Sequence, residues 1–319
     1  LANINTGGTI NQTIDGTLYF WTHKDDASVT NPGPDAYNYT ADDYAMYNLS
    51  GGVGTGTASD SGSAVPSGYI ASGQGFLVEA ITAGQVTFNN SMRATNPSTA
   101  NTQFFKTQSV KAKSKALEKD RFWLNLQNAD GMFSQQLVGY FENATMGYDN
   151  GYDGSLSDAG NFVNFYSFID DAAYKIQGRE AFNADDQVRL GYFSSVVGTF
   201  NINIDSKEGV FNASETPIYL EDKALGIIHD LKEGAYSFET EIGNFDDRFV
   251  LRYKNTDKTL GTDESKIADT KFVVSVKERQ LKVNSYEDLI DKVWVYDLLG
   301  RQIFTKDKVN SKEFVISNL

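Results

Sequence analysis

The sequence predicts an all-β protein, in which antiparallel β-sandwich modules of a jelly-roll-like type precede a small Ig-like β-sandwich domain at the C-terminal end. Three observations predict this fold class. The 319 residues include 21 Phe, 17 Tyr and 28 Gly, a composition that favours strands and tight turns. Short segments alternate polar and apolar residues, and turn-forming Gly, Asn and Asp residues separate them. Each strand is therefore expected to bury one face against an opposite sheet.

Charge and cysteine content exclude several classes of protein. The chain carries 28 Lys and Arg against 42 Asp and Glu, a formal net charge of −14, which repels phosphate backbones and argues against a nucleic-acid partner. It contains no cysteine, so disulfides, thiolate nucleophiles and cysteine-ligated metal centres are excluded. No cofactor is expected, although an acidic chain can bind calcium. No run of about 18 apolar residues predicts a membrane-spanning helix.

Residues 1–119 form a Gly-, Ser- and Thr-rich β region that can belong to the first sandwich. Strand-like segments are predicted at 17–22, 75–80 and 85–89. A Lys-rich stretch over 106–120 contains few bulky apolar residues and is interpreted as a solvated boundary loop. The chain opens without an initiator Met, so we expect a mature or trimmed fragment.

Residues 120–257 are predicted to form the main β-sandwich, because the strand signal is strongest there. Its clearest strand segments are 121–126, 136–141, 187–193, 199–204 and 247–253. A polar stretch without core residues follows, and residues 258–270 are interpreted as a linker. Residues 271–319 are predicted to form a C-terminal domain with four short strands, at 272–276, 280–284, 292–297 and 301–304.

One run in the C-terminal domain carries a resemblance to a known family. The run forms a strand, an apolar pair with Gly-Arg, and a return strand; it reads Val293-Trp294-Val295-Tyr296-Asp297-Leu298-Leu299-Gly300-Arg301-Gln302-Ile303. Leu281-Lys282-Val283 lies upstream, where the family has an earlier strand. Together they resemble the type A C-terminal sorting domain of proteins exported by the type IX secretion system of Bacteroidetes. That family continues with another Gly, an apolar strand and a basic residue, so its terminal strands are expected to be missing here.

The resemblance implies export rather than catalysis. It implies a protein that is exported through the periplasm and the outer membrane and is then secreted or held at the cell surface. Exported proteins of this lineage include surface enzymes, adhesins and gliding components. This chain itself is not expected to be an enzyme. Its C-terminal domain would be the signal recognised by an outer-membrane translocon barrel, a porin-like shuttle protein and a cell-surface sortase. The implied recognition residues are Leu281, Val283, Val293, Val295, Tyr296, Asp297, Gly300, Arg301 and Ile303. Arg301 has a second interpretation, as a solvated turn charge at the end of a hairpin.

A loop of carboxylates is a candidate calcium site. Asp149, Asp153 and Asp158 lie close together in sequence with Asn and Gly between them, and calcium prefers such oxygen ligands. The spacing is not that of an EF-hand loop, because Gly151 stands at the third position and the terminal Glu is absent. The alternative interpretation is that these side chains hydrogen-bond their own backbone in a turn.

An aromatic cluster near the N-terminus suggests a second function, of a different class. Its members are Tyr19, Trp21, Tyr37, Tyr39, Tyr44 and Tyr47, with Asp and Asn residues among them. Sugar-binding surfaces pair aromatic rings with polar hydrogen-bonding groups, so the alternative function is a carbohydrate- or calcium-binding adhesin module whose partners are surface glycans. Packing of these rings inside a Tyr-rich sandwich is the competing interpretation.

No catalytic residue is predicted. The two histidines, His23 and His229, lack a Gly-x-Ser-x-Gly elbow that would support a triad. Adjacent acids such as Asp42-Asp43 and Asp170-Asp171 are interpreted as solvated turns, because neighbouring residues in a strand point to opposite faces. A third hypothesis is an accessory domain of a surface hydrolase whose catalytic part lies upstream.

Overall fold

The structure, a computed structural model, divides the chain into two compact units, the N-terminal unit (Leu1–Asp257) and the C-terminal unit (Lys258–Leu319). It describes residues 13–22, 26–31, 34–56, 65–88, 90–93, 119–157, 160–254, 272–277, 280–285, 288–296 and 301–317. Their regular secondary structure is β-strand, apart from three short 3₁₀ helices, at Ala41–Asp43, Asn90–Met92 and Gly209–Asn212, and turns and loops connect these elements. The prediction of an all-β fold is confirmed. The predicted boundary loop, most of it at 106–118, and the predicted linker lie outside the described residues.

The described residues of the N-terminal unit form two sheets. The small one consists of β1 (Leu18–Trp21), β2 (Tyr44–Tyr47) and β3 (Gly52–Val53). The large one consists of β4 (Asp120–Asn128), β5 (Phe133–Tyr140), β6 (Gly154–Ser155), β7 (Val163–Ile169), β8 (Ala172–Arg179), β9 (Gln187–Ser194), β10 (Gly198–Glu208), β11 (Tyr219–Asp222), β12 (Ile227–Asp230), β13 (Tyr236–Thr240) and β14 (Gly243–Arg252).

The large sheet folds back on itself to form a sandwich. Its order is β12-β11-β14-β9-β7-β8-β5-β4-β10-β13, with β6 beside β8, and the neighbouring pairs are antiparallel except β5 and β8. Strands far apart in this order meet across the core, since the Tyr236 hydroxyl on β13 donates to Asp222 Oδ2 on β11 at 2.9 Å. The inner faces of the two halves therefore enclose one core, as the sandwich prediction requires.

Side chains alternate between the two faces of each strand, and this alternation explains which of them are buried in the core. On β4, Phe122, Leu124 and Leu126 point into the core and are fully buried, while Trp123 lies on the opposite face. Burying each such side chain contributes about 1.5–3 kcal/mol. The turn after β4 is held by Asn128 Oδ1, which accepts the N–H groups of Asp130 and Met132.

The small sheet packs on the outer face of the large one. Trp123 lies there in a second apolar cluster with Leu137 and Ile176 of the large sheet and Met46 and Val53 of the small one. The Trp123 indole N–H also donates to the carbonyl of Gly52 at 2.6 Å. This part of residues 1–119 therefore packs as an additional layer on the sandwich.

Two sequence expectations for the N-terminal unit are wrong. Residues 85–88 form no strand, and the predicted strand at 75–80 is reduced to single bridges, between Tyr19 and Leu77 and between Ile14 and Ala80. Alternation alone does not make a strand, because a strand also needs a partner with free backbone groups.

The C-terminal unit consists of two small sheets. One has the order β15-β16-β19 and the other pairs β17 with β18; the strands are β15 (Phe272–Lys277), β16 (Gln280–Ser285), β17 (Ile290–Tyr296), β18 (Gln302–Ser311) and β19 (Glu313–Ser317). The four predicted strands are confirmed, and β19 is an addition that pairs antiparallel with β16. The rings of Phe304 and Phe314, 6.2 Å apart, join the two sheets.

Candidate functional site

The family-like motif lies on the β17–β18 hairpin. Val295 pairs with Phe304, while the next ladder pair joins Tyr296 to Gln302, so Ile303 is an extra residue in a β-bulge. A bulge changes the direction in which its extra residue's side chain points, and the Ile303 side chain is 53% exposed. Trp294, on the partner strand, is 52% exposed. The hairpin therefore presents two large apolar side chains to solvent.

The implied recognition residues divide into an inner and an outer set. Leu281 and Val283 are half-buried on β16, opposite Ile316 and Phe314 of β19, and Val293 and Val295 are half-buried on β17. These four build the interior of the small sandwich. The outer set consists of Ile303 and Arg301, whose side chains are exposed.

Three implied recognition residues have no described side chain. Tyr296 is the last residue of β17, and its side chain lies outside the described part. Asp297 and Gly300 fall wholly outside the described residues. Trp294 belongs with the outer set, although the sequence interpretation passed over it. Its neighbours Val293 and Val295 point to the opposite face, and this alternation is the signal that could have identified it.

The carboxylates of the candidate calcium loop are occupied by backbone donors. Asp153 is buried, its Oδ1 accepts the Gly178 N–H at 2.8 Å, and its Oδ2 accepts the Asp149 N–H at 2.6 Å. Asp149 Oδ2 accepts both the N–H and, at 2.9 Å, the hydroxyl of Thr145. Burial raises the pKa of Asp153 to about 7, although these N–H groups act in the opposite direction.

This geometry supports the turn interpretation of the loop. The third implied ligand, Asp158, lies outside the described residues, and within the ranges that the structure describes no three acidic or histidine side chains group to hold a metal ion. The loop instead ties the small sheet to the large one, because the Leu49 N–H donates to the Gly151 carbonyl at 2.8 Å. A calcium site here stays a prediction.

The N-terminal aromatic cluster also divides in two. The Tyr19 hydroxyl donates to Asp15 Oδ2 at 3.0 Å, and its side chain packs against the apolar cluster under the small sheet. The Trp21 ring, in contrast, contacts Tyr39 at 4.7 Å and Tyr44 at 5.0 Å between ring centroids, both edge-to-face. Trp21 is 37% exposed and Tyr39 43% exposed. Trp21, Tyr39 and Tyr44 are called the aromatic surface below.

A small cavity adjoins the aromatic surface at Tyr44. Its volume of about 10 Å³ gives room for about one water molecule, and its polar lining includes Asp42, Ser134 and Lys175. The Lys175 ammonium donates to Ser134 Oγ at 2.9 Å and lies 3.9 Å from Asp42 Oδ1, and both charged side chains are nearly buried.

The sequence interpretation missed this charged pair. Asp42 and Asp43 were expected in a solvated turn, but Asp43 is fully buried and Asp42 nearly so, because the small sheet packs on the large one. Lys175 lies on β8, a strand that was not predicted. The expectation for Asp170-Asp171 is confirmed, since these two exposed residues form the turn between β7 and β8.

One of the two histidines lies within the described residues. His229 Nε2 lies 2.9 Å from the Gly234 carbonyl oxygen, at the edge strand β12. His23 lies outside the described residues. In the described part of the chain, no helix is long and apolar enough to cross a membrane.

Comparison with known proteins assigns families without a named activity. No curated protein and no solved structure matches the chain. Residues 260–319, nearly all of the C-terminal unit, match the model described as Domain of unknown function (DUF8694). Residues 2–253 match another model, which covers most of the chain. The chain therefore belongs to the family described as Domain of unknown function (DUF8693).

Proposed function

We propose that this protein is a secreted or cell-surface cargo of a type IX secretion system, and that its C-terminal unit is the export signal. The N-terminal unit is the cargo and acts by binding rather than by catalysis. The partners of the C-terminal unit are the outer-membrane translocon barrel, the porin-like shuttle and the cell-surface sortase.

One observation carries the proposal. The run 293–303 that resembles the sorting domain lies on a single hairpin of a separate compact unit, and each of the outer residues Trp294, Arg301 and Ile303 is exposed. Exposed aromatic and Arg side chains are the types that dominate protein–protein contacts. A compact unit joined to the cargo by polar residues suits a tag that another protein must reach.

The division of the motif refines the proposal. The inner residues Leu281, Val283, Val293 and Val295 preserve the sandwich, and the outer residues contact the export machinery. Substitution of an inner residue is therefore expected to lower the amount of folded protein. Substitution of an outer residue is expected to block export while the protein stays folded.

Surface display of the natural full-length protein tests the proposal. We expect an epitope-tagged protein to be accessible to external protease in a host with an intact type IX system and to accumulate in the periplasm of a host without one. Arg301→Ala and Trp294→Ala are expected to lower the surface fraction in the intact host. Lys306→Ala, which removes an exposed charge from β18 of the same hairpin, is the matched control. Equal surface display in both hosts would overturn the proposal.

A further inference from the structure

We propose that the N-terminal unit binds a neutral oligosaccharide on the aromatic surface formed by Trp21, Tyr39 and Tyr44, with Asp42 and Lys175 as the polar groups of the site. This inference does not depend on the proposed route of export.

The aromatic surface offers partly exposed rings to a sugar ring. The Trp21 ring contacts the rings of both tyrosines edge-to-face, so the three rings lie side by side. Trp21 and Tyr39 remain partly open to solvent although both are large apolar side chains. The C–H groups on one face of a pyranose ring pack against an aromatic ring, while its hydroxyls stay available for hydrogen bonds. Trp and Tyr offer large contact area with few rotatable bonds.

The loop that carries Tyr39 is held in place by its own side chains. The Asn31 amide donates to the Asn38 carbonyl at 2.8 Å, and the Asn38 amide donates to the carbonyls of Asn31 and Asp35, at 3.2 and 2.7 Å. Ser28 and Asn38 also form a backbone bridge. The loop therefore presents Tyr39 in a fixed position, which lowers the entropy lost when a ligand binds.

Polar groups line the small cavity that adjoins the aromatic surface. Tyr44 belongs to both the aromatic surface and the cavity that Asp42 and Lys175 line. The cavity is far too small for a sugar ring but is large enough for a hydroxyl group or a bound water. A carboxylate that accepts and an ammonium that donates can both hydrogen-bond one hydroxyl. A ring on the aromatic surface could thus be oriented by one hydroxyl at the cavity.

The negative net charge of the chain indicates which class of saccharide the site binds. The chain carries a net charge of −14, so sulfated or uronic acid-rich glycans are repelled over a long range. The positive charge of Lys175 lies near Asp42 and is not available as an isolated anion site. The ligand class is therefore a neutral oligosaccharide.

Tryptophan fluorescence can follow this site directly. The chain contains three Trp residues: Trp123 is buried in the N-terminal unit, Trp294 is exposed in the C-terminal unit, and Trp21 belongs to the aromatic surface. A Trp294→Phe variant therefore keeps Trp21 as its exposed tryptophan. The probes are hexasaccharides of glucose, mannose and N-acetylglucosamine at up to millimolar concentration, with a sulfated oligosaccharide as the charged comparison. We expect at least one neutral probe to shift the Trp21 emission saturably, and the sulfated probe to leave it unchanged.

Variants assign the binding to the proposed residues. Calorimetry with the neutral probe that binds is expected to show an affinity at least about tenfold weaker for Tyr39→Ala and for Asp42→Asn. Tyr219→Ala is the matched control, because Tyr219 is a half-buried tyrosine on the outer side of β11, in the other half of the sandwich. Thermal melts of each variant show whether the fold is kept. The proposal is overturned if no neutral hexasaccharide binds, or if Tyr39→Ala and Asp42→Asn both bind as well as the parent.

Discussion

Among the described residues, the two units of this chain bury apolar cores of very different size, since the buried apolar side chains of the C-terminal unit are Ile290 and Ile316. In the N-terminal unit, Phe122, Phe165 and Leu190 are fully buried in one continuous core. In the C-terminal unit, Trp294 and Ile303 are more than half exposed on a single hairpin. A small domain buries a smaller fraction of its surface, so some exposure is expected from size alone. The proposed export surface requires two such side chains on one hairpin to be accessible, as Trp294 and Ile303 are.

The largest expected effect tests the core of the N-terminal unit. Phe122→Ala is expected to lower the free energy of unfolding by about 3–5 kcal/mol, because it removes a buried ring that contacts Phe211 at 4.8 Å and leaves a cavity. Urea denaturation followed by circular dichroism measures this loss. A loss below about 1 kcal/mol would contradict the single-core description.

A buried ion pair gives the next largest effect. Asp222 is fully buried and accepts from Arg248 Nη2 at 2.8 Å and from the Tyr236 hydroxyl at 2.9 Å. Asp222→Asn is expected to cost about 3 kcal/mol, because it leaves the Arg248 charge without its carboxylate. The exposed pair Lys254–Asp185 provides the control, and Asp185→Asn is expected to cost at most about 1 kcal/mol in the same denaturation experiment. Similar losses in the two variants would refute this prediction.

The pH dependence of stability tests the loop between the two sheets. The pKa of Asp153 rises from 3.8 to about 7 on folding, so between these values the folded state binds more protons than the unfolded state. Stability contributed by this group is full below about pH 4 and is lost as the pH rises toward 7, by an amount on the order of 1 kcal/mol or more. Thermal melts across this range measure it.

The matched variant isolates Asp153 from other groups. Asp153→Asn is expected to remove this part of the pH dependence, because its side chain carries no charge at any of these pH values. The exposed Asp130 serves as a control position, and Asp130→Asn is expected to leave the profile unchanged. A pH profile that is the same in Asp153→Asn and in the parent would show that other groups produce it.

The smallest expected change in stability compares an exposed with a buried isoleucine of the C-terminal unit. Ile303→Ala is expected to change the free energy of unfolding by less than about 0.5 kcal/mol, because its side chain is exposed at a bulge. Ile316→Ala removes a buried side chain of the same type and is expected to cost about 2 kcal/mol. Urea denaturation of the full chain, followed by circular dichroism, compares the two. Equal losses would mean that the outer and inner sets of the motif are not distinct.

Sequence patterns predicted the strands with strong alternation and missed those that depend on partners. Strands β4 and β9 were predicted close to their observed bounds, and β10 in its N-terminal half, because each carries alternating large apolar residues there. Strand β8 was missed, since Ala172–Arg179 contains Lys, Gln and Gly. It becomes a strand because β7 pairs with its first half and β5 with its second. The opposite holds for residues 85–88, which alternate polar and apolar side chains but pair with no strand in the described part of the chain.

The sequence by itself determined the all-β class, the strands of strongest alternation and the family-like motif, because these depend on local residue order. Only the tertiary structure decided which motif residues face solvent, because a bulge at Ile303 and the packing of two sheets set that choice. Packing also brought Asp42 of the small sheet's layer close to Lys175 of β8. Such contacts join residues far apart in the chain, and local pattern carries no information about them.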